Sequence, residues 1–183
     1  MTTYFDAPGP HNTAETLRLA VARAHQLDIK HIVVATCSGR TAQQLLDCGR
    51  QVIAVTHHVG FSAPGVDEMP AQVRAQLQEN GVRVLTTTHL FGNVERGICN
   101  RFGGVMAGGI ISATLRMFGQ GVKVCFEIAT MALDAGLIPY GEEVVAIGGT
   151  GQGADTAVVI KPAHGNDFLA TELLELICKP RRP

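Results

Sequence analysis

The sequence predicts a three-layer α/β/α sandwich built on a mostly parallel sheet and ending in a glycine-rich β-hairpin. Three observations carry that prediction. Short, nearly uninterrupted apolar runs (HIVVAT, QVIAVT, VRVLTTT) alternate with segments of helical period, the pattern of parallel strands buried on both faces. Glycines or N-capping residues stand where the intervening helices start or stop. Near the C-terminus, EEVVAIGGT and DTAVVIKPA are joined by only a GQGA turn, which places two strands side by side. At 183 residues the chain is expected to form one domain, residues 1–183.

Each element has its own justification. After a short lead, Asn12 is placed as an N-cap with Glu15 as its capping-box partner. The helix it opens, TAETLRLAVARAHQL, sets Leu17, Val21, Ala24 and Leu27 on one face. Strand HIVVAT follows, then helix TAQQLLDC, closed by Gly49. Strand QVIAVT and the loop HHVGFSAPG lead to a helix read as DEMPAQVRAQLQEN, ended by Gly81, and strand VRVLTTT completes a third unit. Residues 94 to 136 read as mainly helical, with breaks at FGG (102–104), AGG (107–109) and GQG (119–121). The segment TELLELICKP fits either a short helix or an edge strand.

Composition narrows the function classes. Hydrophobic residues make up 46% of the chain and the formal net charge is −1, so no electrostatic argument favours nucleic acid or an anionic membrane as partner. No apolar run reaches the length of a bilayer span; the richest, VKVCFEIATMALDAGLI, is broken by Glu127 and Asp134. The N-terminus MTTYFDAPGP has no basic start and no apolar signal core, and the five cysteines (37, 48, 99, 125, 178) are odd in number without zinc-type spacing. Both features fit reduced thiols in a cytoplasmic protein.

The stretch VVATCSGRTAQQLL carries the main chemical signal. A helix N-terminus leaves amides without intrahelical partners and carries partial positive charge. Gly39 permits a sharp turn there, Thr36, Ser38 and Thr41 offer hydroxyls, and Arg40 offers a full charge, so the junction reads as a phosphate cradle. The plainer reading is that Ser38 or Thr41 merely caps the helix. No G-x-x-x-x-G-K-[ST] run occurs. GTGQGA (149–154) matches G-x-G-x-x-A but leads into a strand instead of the helix that the dinucleotide fingerprint needs. It reads as a hairpin whose backbone forms one wall of an anion site.

These segments resemble the C-terminal α/β domain of pyruvate kinases, where a T-x-S-G-x-[ST]-A turn between strand and helix holds a phosphate of a sugar-bisphosphate activator. EEVVAIGGTGQGADTAVVI is similar to that domain's final hairpin, whose glycine-rich loop closes over the activator. YFDAPGPHNTAETL, VVATCSGRTA, VTHHVGF, TLRMFGQGVKV, DAGLIP and AIGGTGQGADTAVVIKPA resemble, over nearly the whole chain, a prokaryotic family in which this domain stands alone. The resemblance implies the fold and a phosphate turn at Gly39 to Thr41. It implies no kinase activity, because the catalytic barrel has no counterpart here.

Other residues are candidates for the same edge of the sheet. THH (56–58) and TTTH (86–89) each follow a buried strand, which brings His57, His58 and His89 to that edge. His57 and His89 are candidates for acid–base work. No metal is expected, since ligand spacings are missing, adjacent strand residues diverge, and no acidic residue directly neighbours the histidines. Gly149, Thr150, Gly151, Gly153, Asp155 and Thr156 are placed around the ligand, Asp155 and Thr156 on its hydroxyls. Cys37 is assigned to the core, Glu127 to a structural ion pair or to solvent, and Arg96, Arg101 and Arg116 are in reach of a second anionic group. Phe61, Phe91 and Phe118 are candidates to stack on a planar ring.

Energetics set the ligand's size. Three charge-assisted hydrogen bonds and a helix terminus supply about 5 to 10 kcal/mol before association costs of about 4 kcal/mol or more. Micromolar binding therefore needs more than a phosphate, which favours flavin mononucleotide (FMN), another nucleotide or a sugar bisphosphate. The expected function is binding of such a phosphorylated small molecule. The rivals are a flavin-dependent oxidoreductase or acid–base enzyme, and a regulatory or assembly module; self-association into a homo-oligomer is left open.

Overall fold

The computed structural model describes residues 2–182. Seven strands form one sheet: β1 (Thr3–Phe5), β2 (His31–Ala35), β3 (Gln51–Val55), β4 (Arg83–Leu85), β5 (Val144–Gly148), β6 (Thr156–Lys161) and β7 (Glu172–Pro180). Their order is β1-β7-β6-β5-β2-β3-β4. The pairs β1–β7, β2–β3, β2–β5 and β3–β4 are parallel, whereas β5–β6 and β6–β7 are antiparallel. The carboxyl ends of β2, β3, β4 and β5 therefore share one edge, and the hairpin between β5 and β6 turns there.

Helices cover both faces. On one lie α1 (Thr13–Gln26), α2 (Arg40–Gln43) and α3 (Ala71–Glu79); on the other lies α6 (Gln120–Asp134), flanked by α4 (Val94–Phe102) and α5 (Ala107–Arg116). Strand alternation divides the core accordingly. Ile32, Val34, Ala54, Val145 and Ile147 pack with Leu17, Ala24, Leu45 and Leu77. Val33, Ile53, Val55, Ala146 and Val158 pack with Cys125, Ile128, Ala129 and Ala132. Among the described residues, no helix is long and apolar enough to cross a membrane.

Several local expectations are corrected. Asn12 makes no side-chain cap: it closes a 3-10 turn over Pro10–Asn12, already has helical dihedrals, and donates through Nδ2 to the Ala7 carbonyl at 2.8 Å. Glu15 instead accepts from Arg18 at 2.7 Å. The buried stripe of α1 is Thr13, Thr16, Leu17, Ala20 and Ala24, while Leu27 falls at the C-cap and is exposed.

Helix α2 has only four residues, because the chain tightens at once into i→i+3 turns from Gln44 to Thr41 and from Leu45 to Ala42. Helix α3 starts after Pro70, whose ψ of 138° is extended, and not at Asp67, whose carboxylate accepts from the Met69 amide at 2.9 Å. Gly108 and Gly109 lie within α5 instead of breaking the chain. The segment TELLELICKP is a strand and not at the edge, since β1, read as part of a short lead, adds outside it.

Candidate functional site

At the shared edge, β2 ends in the segment Thr36–Thr41. The Thr36 amide still belongs to the sheet, donating to the Val55 carbonyl at 2.9 Å. Gly39 then takes a left-handed φ of +89° and starts α2 without any side-chain cap, so neither Ser38 nor Thr41 has the plain capping role. Ser38 Oγ instead accepts from Arg40 Nε at 3.2 Å, on an exposed surface. Among the described residues, the amides of Arg40, Thr41 and Ala42 make no hydrogen bond; Arg40 is exposed, whereas Thr41 is buried and Ala42 lies in the core. Gly39 makes the sharp turn expected of it, and packing adds a second requirement: a Cβ there would lie 2.4 Å from Val73 Cγ1 of α3.

The three histidines gather with Phe61 but have different partners. His57 stacks on Phe61, ring centroids 3.7 Å apart, and its Nδ1 lies 2.6 Å from Glu68 Oε2. Cys37 Sγ is 3.2 Å from Nδ1 and 3.4 Å from Nε2 of the same ring. Cys37 is thus not a core residue; it is half-buried beside His57. Burial first, and the nearby Glu68 carboxylate second, push its thiol up to about 11, against a hydrogen bond to His57 that pulls it down.

His58 and His89 face the other way, into a cleft of about 590 Å³ whose lining also includes Phe61, Phe91, Asn93, Arg96, Asn100, Lys123 and Glu127. The His89 ring lies 5.4 Å from both the His57 and His58 rings.

The cleft floor is an ion pair within α6. Lys123 Nζ donates to Glu127 Oε2, Glu127 Oε1 accepts from the Phe91 amide at 3.1 Å, and Lys123 lies over the Phe91 ring at 5.5 Å. Both side chains are less than a tenth exposed. Burial depresses the Lys123 ammonium's pKa, Glu127 opposing. Burial likewise holds His89 below the ordinary imidazole range, Glu127 raising it and His57, His58 and Lys123 lowering it. That lowering favours the neutral imidazole, the form able to accept a proton or a hydrogen bond.

The hairpin divides into outward and inward halves. Gly149, Thr150, Gly151 and Gly153 form the turn at the shared edge, and Gly151 (φ +75°) has open space where a Cβ would stand. Gly153 is pressed on the N-terminal segment, its virtual Cβ 2.4 Å from Thr13 Oγ1. Asp155 and Thr156 are fully buried and do not face a ligand. Asp155 Oδ2 accepts from the Gly9 amide at 3.0 Å and Oδ1 from Thr156 Oγ1 at 2.8 Å, tying the N-terminal segment to the hairpin.

Of the three arginines, Arg96 lines the cleft, Arg116 is held by Ser112 and Gln120 at 2.7 Å each, and Arg101 lies over the exposed Phe102. Phe118 is exposed and outside the cleft lining. Sequence reasoning missed Glu68 and Lys123. Glu68 sits 11 positions from its histidine, and no spacing rule finds it. Lys123 is legible as the i,i+4 partner of Glu127 in an otherwise apolar helix.

The sequence model of the pyruvate kinase alpha/beta domain matches residues 14–160. Among solved structures, a pyruvate kinase from Cryptosporidium parvum is similar at 19% identity over 83% of this chain and 23% of its own, with a TM-score of 0.41. The C. parvum pyruvate kinase in complex with ADP is similar at 19% identity over 85% of this chain and 24% of its own, also with a TM-score of 0.41. The chain thus spans about a quarter of the length of these enzymes. With most of its length matched by the family, and with a mixed seven-stranded sheet between helical layers, the chain belongs to the pyruvate kinase alpha/beta domain family.

Proposed function

We propose that the chain binds a phosphorylated small molecule across the carboxyl edge of its sheet. The phosphate rests on the amides of Arg40 and Thr41, with the hydroxyls of Ser38 and Thr41 and the Arg40 guanidinium around it. The rest of the ligand lies toward the His58–His89 cleft, with the Gly149–Gly153 turn as an outer wall. The observation that carries this reading is the pair of unpartnered amides of Arg40 and Thr41 at the same sheet edge as a cleft lined by aromatic and cationic side chains. A volume of about 590 Å³ falls in the usual range of about 300 to 1,000 Å³ for small-ligand sites. Phe61 and Phe91 favour a planar group, so FMN and other nucleotides rank before a sugar phosphate. A small helix dipole from four residues contributes little, which leaves direct hydrogen bonds as the anchor.

Calorimetry of the reduced protein with FMN, AMP, a sugar bisphosphate and inorganic phosphate tests this reading. At least one of the organic phosphates should bind about 100-fold or more tightly than inorganic phosphate, because the cleft adds contacts worth about 3 kcal/mol or more. Thr41→Asp should remove that binding, since it sets a carboxylate against the phosphate. Unchanged affinity in the variant rejects the cradle.

Acid–base catalysis on the bound ligand is the second reading, favoured by His89, which shares the cleft with the Lys123–Glu127 pair and whose burial favours the neutral form. Conversion of the ligand, followed by NMR and lost in His89→Ala with binding retained, supports it.

A further inference from the structure

Cys37, His57 and Glu68 come from three separate places in the chain: the turn after β2, the turn after β3 and the loop before α3. Nothing in the phosphate reading uses them together. Their ligand atoms (Sγ, a ring nitrogen and a carboxylate oxygen) all lie within 4.8 Å of one another. Each residue is half-buried, which leaves one side of the cluster open. Phe61, stacked at 3.7 Å, holds the imidazole plane, and the Asp67–Met69 turn fixes the backbone on either side of Glu68. We propose that these three side chains bind a divalent cation of the zinc class, with a fourth position open to water or to a substrate oxygen.

The donor set selects the ion. A thiolate and an imidazole favour zinc over magnesium or calcium, which take oxygen ligands. Three protein ligands with an open fourth position is the arrangement of reactive zinc sites, whereas structural sites close all four.

Charge points the same way. Cys37 Sγ and a Glu68 carboxylate oxygen lie within 4.8 Å of each other, so losing the Cys37 proton would set two negative charges close together. A cation displaces that proton and neutralises both groups. Metal–ligand bonds of about 2.0 to 2.3 Å put tetrahedral ligand atoms about 3.4 to 3.6 Å apart. The sulfur–nitrogen separation of 3.2 Å is already close to this, and the Glu68 oxygen at 2.6 Å needs to withdraw by less than about 1 Å.

A thiol nucleophile with His57 as base and Glu68 as its orienting group is the competing use of the same residues. That use needs Sγ, now nearly equidistant from both ring nitrogens, to come into line with one of them and pass its proton to it. The cation site rests on these three side chains alone and stands or falls independently of phosphate binding.

Cobalt(II) is the probe. The reduced, metal-free full chain should bind one equivalent and develop thiolate-to-cobalt charge-transfer absorption in the near ultraviolet, with visible bands of tetrahedral cobalt; zinc should displace it. Cys37→Ser should lose the charge-transfer absorption. Glu68→Gln should weaken cobalt and zinc binding by about tenfold or more, as the loss of a ligand costs at least what a lost outer partner does. Circular dichroism should show both variants folded as wild type. Absence of saturable binding overturns the proposal, and so does a charge-transfer band that survives Cys37→Ser. Rapid alkylation of metal-free Cys37 by iodoacetamide at neutral pH, unslowed by zinc, overturns it in favour of the nucleophile.

Discussion

Gly39 and the Lys123–Glu127 pair show how single residues hold the edge in shape. Gly39 needs a left-handed φ and leaves no room for a methyl group against Val73. Gly39→Ala should therefore lower stability by about 1 to 3 kcal/mol, through backbone strain and overpacking together. Adding Val73→Ala should recover the packing part, read as a rise in the urea midpoint over the single variant. At the cleft floor, Lys123→Met leaves the Glu127 carboxylate buried without its cation. That should cost about 3 to 5 kcal/mol, and Lys123→Met with Glu127→Gln should recover much of it. If the single variant unfolds at the same midpoint as wild type, the pair is not a buried unit. The strand–turn–helix junction at Thr36–Thr41 was legible in the sequence because TCSGRT is contiguous. The Cys37–His57–Glu68 cluster was not, because only the turns after β2 and β3 and the loop before α3 bring it together. Cys37 was read as core from strand alternation, which ceases to hold once the chain leaves β2.

At the scale of elements, the antiparallel strand β7 is tied to α1 by a forked contact between Arg23 and Glu175, with Nε to Oε2 at 2.6 Å. The hydrogen bond from Arg23, ahead of the opposing effect of burial, holds the Glu175 carboxyl below the ordinary carboxylate range. The folded state therefore binds this proton less readily than the unfolded chain. The stabilisation is present above the ordinary carboxylate pKa and is lost as pH falls through the lowered value. Urea midpoints between neutral and acid pH should show a shallower acid loss in Glu175→Gln than in wild type; parallel curves contradict the tie. Elements with strong periodicity, β2, β3, α1 and the β5–β6 hairpin, were readable from the sequence. β7 was ambiguous because Leu173, Leu174 and Leu176 satisfy helical and strand spacing about equally, and β1 was hidden in three residues whose only pairing is to β7. The foreshortened α2 was also hidden, since its termination depends on the turns at Gln44 and Leu45 and not on a breaker residue.

For the whole molecule, the sheet order places β5 and β2 at the centre and β1 and β4 at the edges. Hydrogen exchange should follow that order, slowest for Val145–Ile147 and Ile32–Val34 and fastest for the short edge strands, because central strands open only with global unfolding. The same topology aligns four strand ends and thereby gathers the Thr36–Thr41 turn, the histidines and the glycine hairpin at one edge. The alternation of strand and helix sufficed to foresee that gathering; the cleft against α6 was not foreseeable, since it depends on how α4 and α6 pack. Nitrogen–proton correlation spectra of the full chain, titrated with FMN and separately with riboflavin, test the central assignment most directly. Large amide shifts are expected at Arg40 and Thr41 with FMN, absent with the phosphate-free flavin; were those two amides to stay still while resonances elsewhere moved, or to respond equally to both compounds, the phosphate cradle would be contradicted.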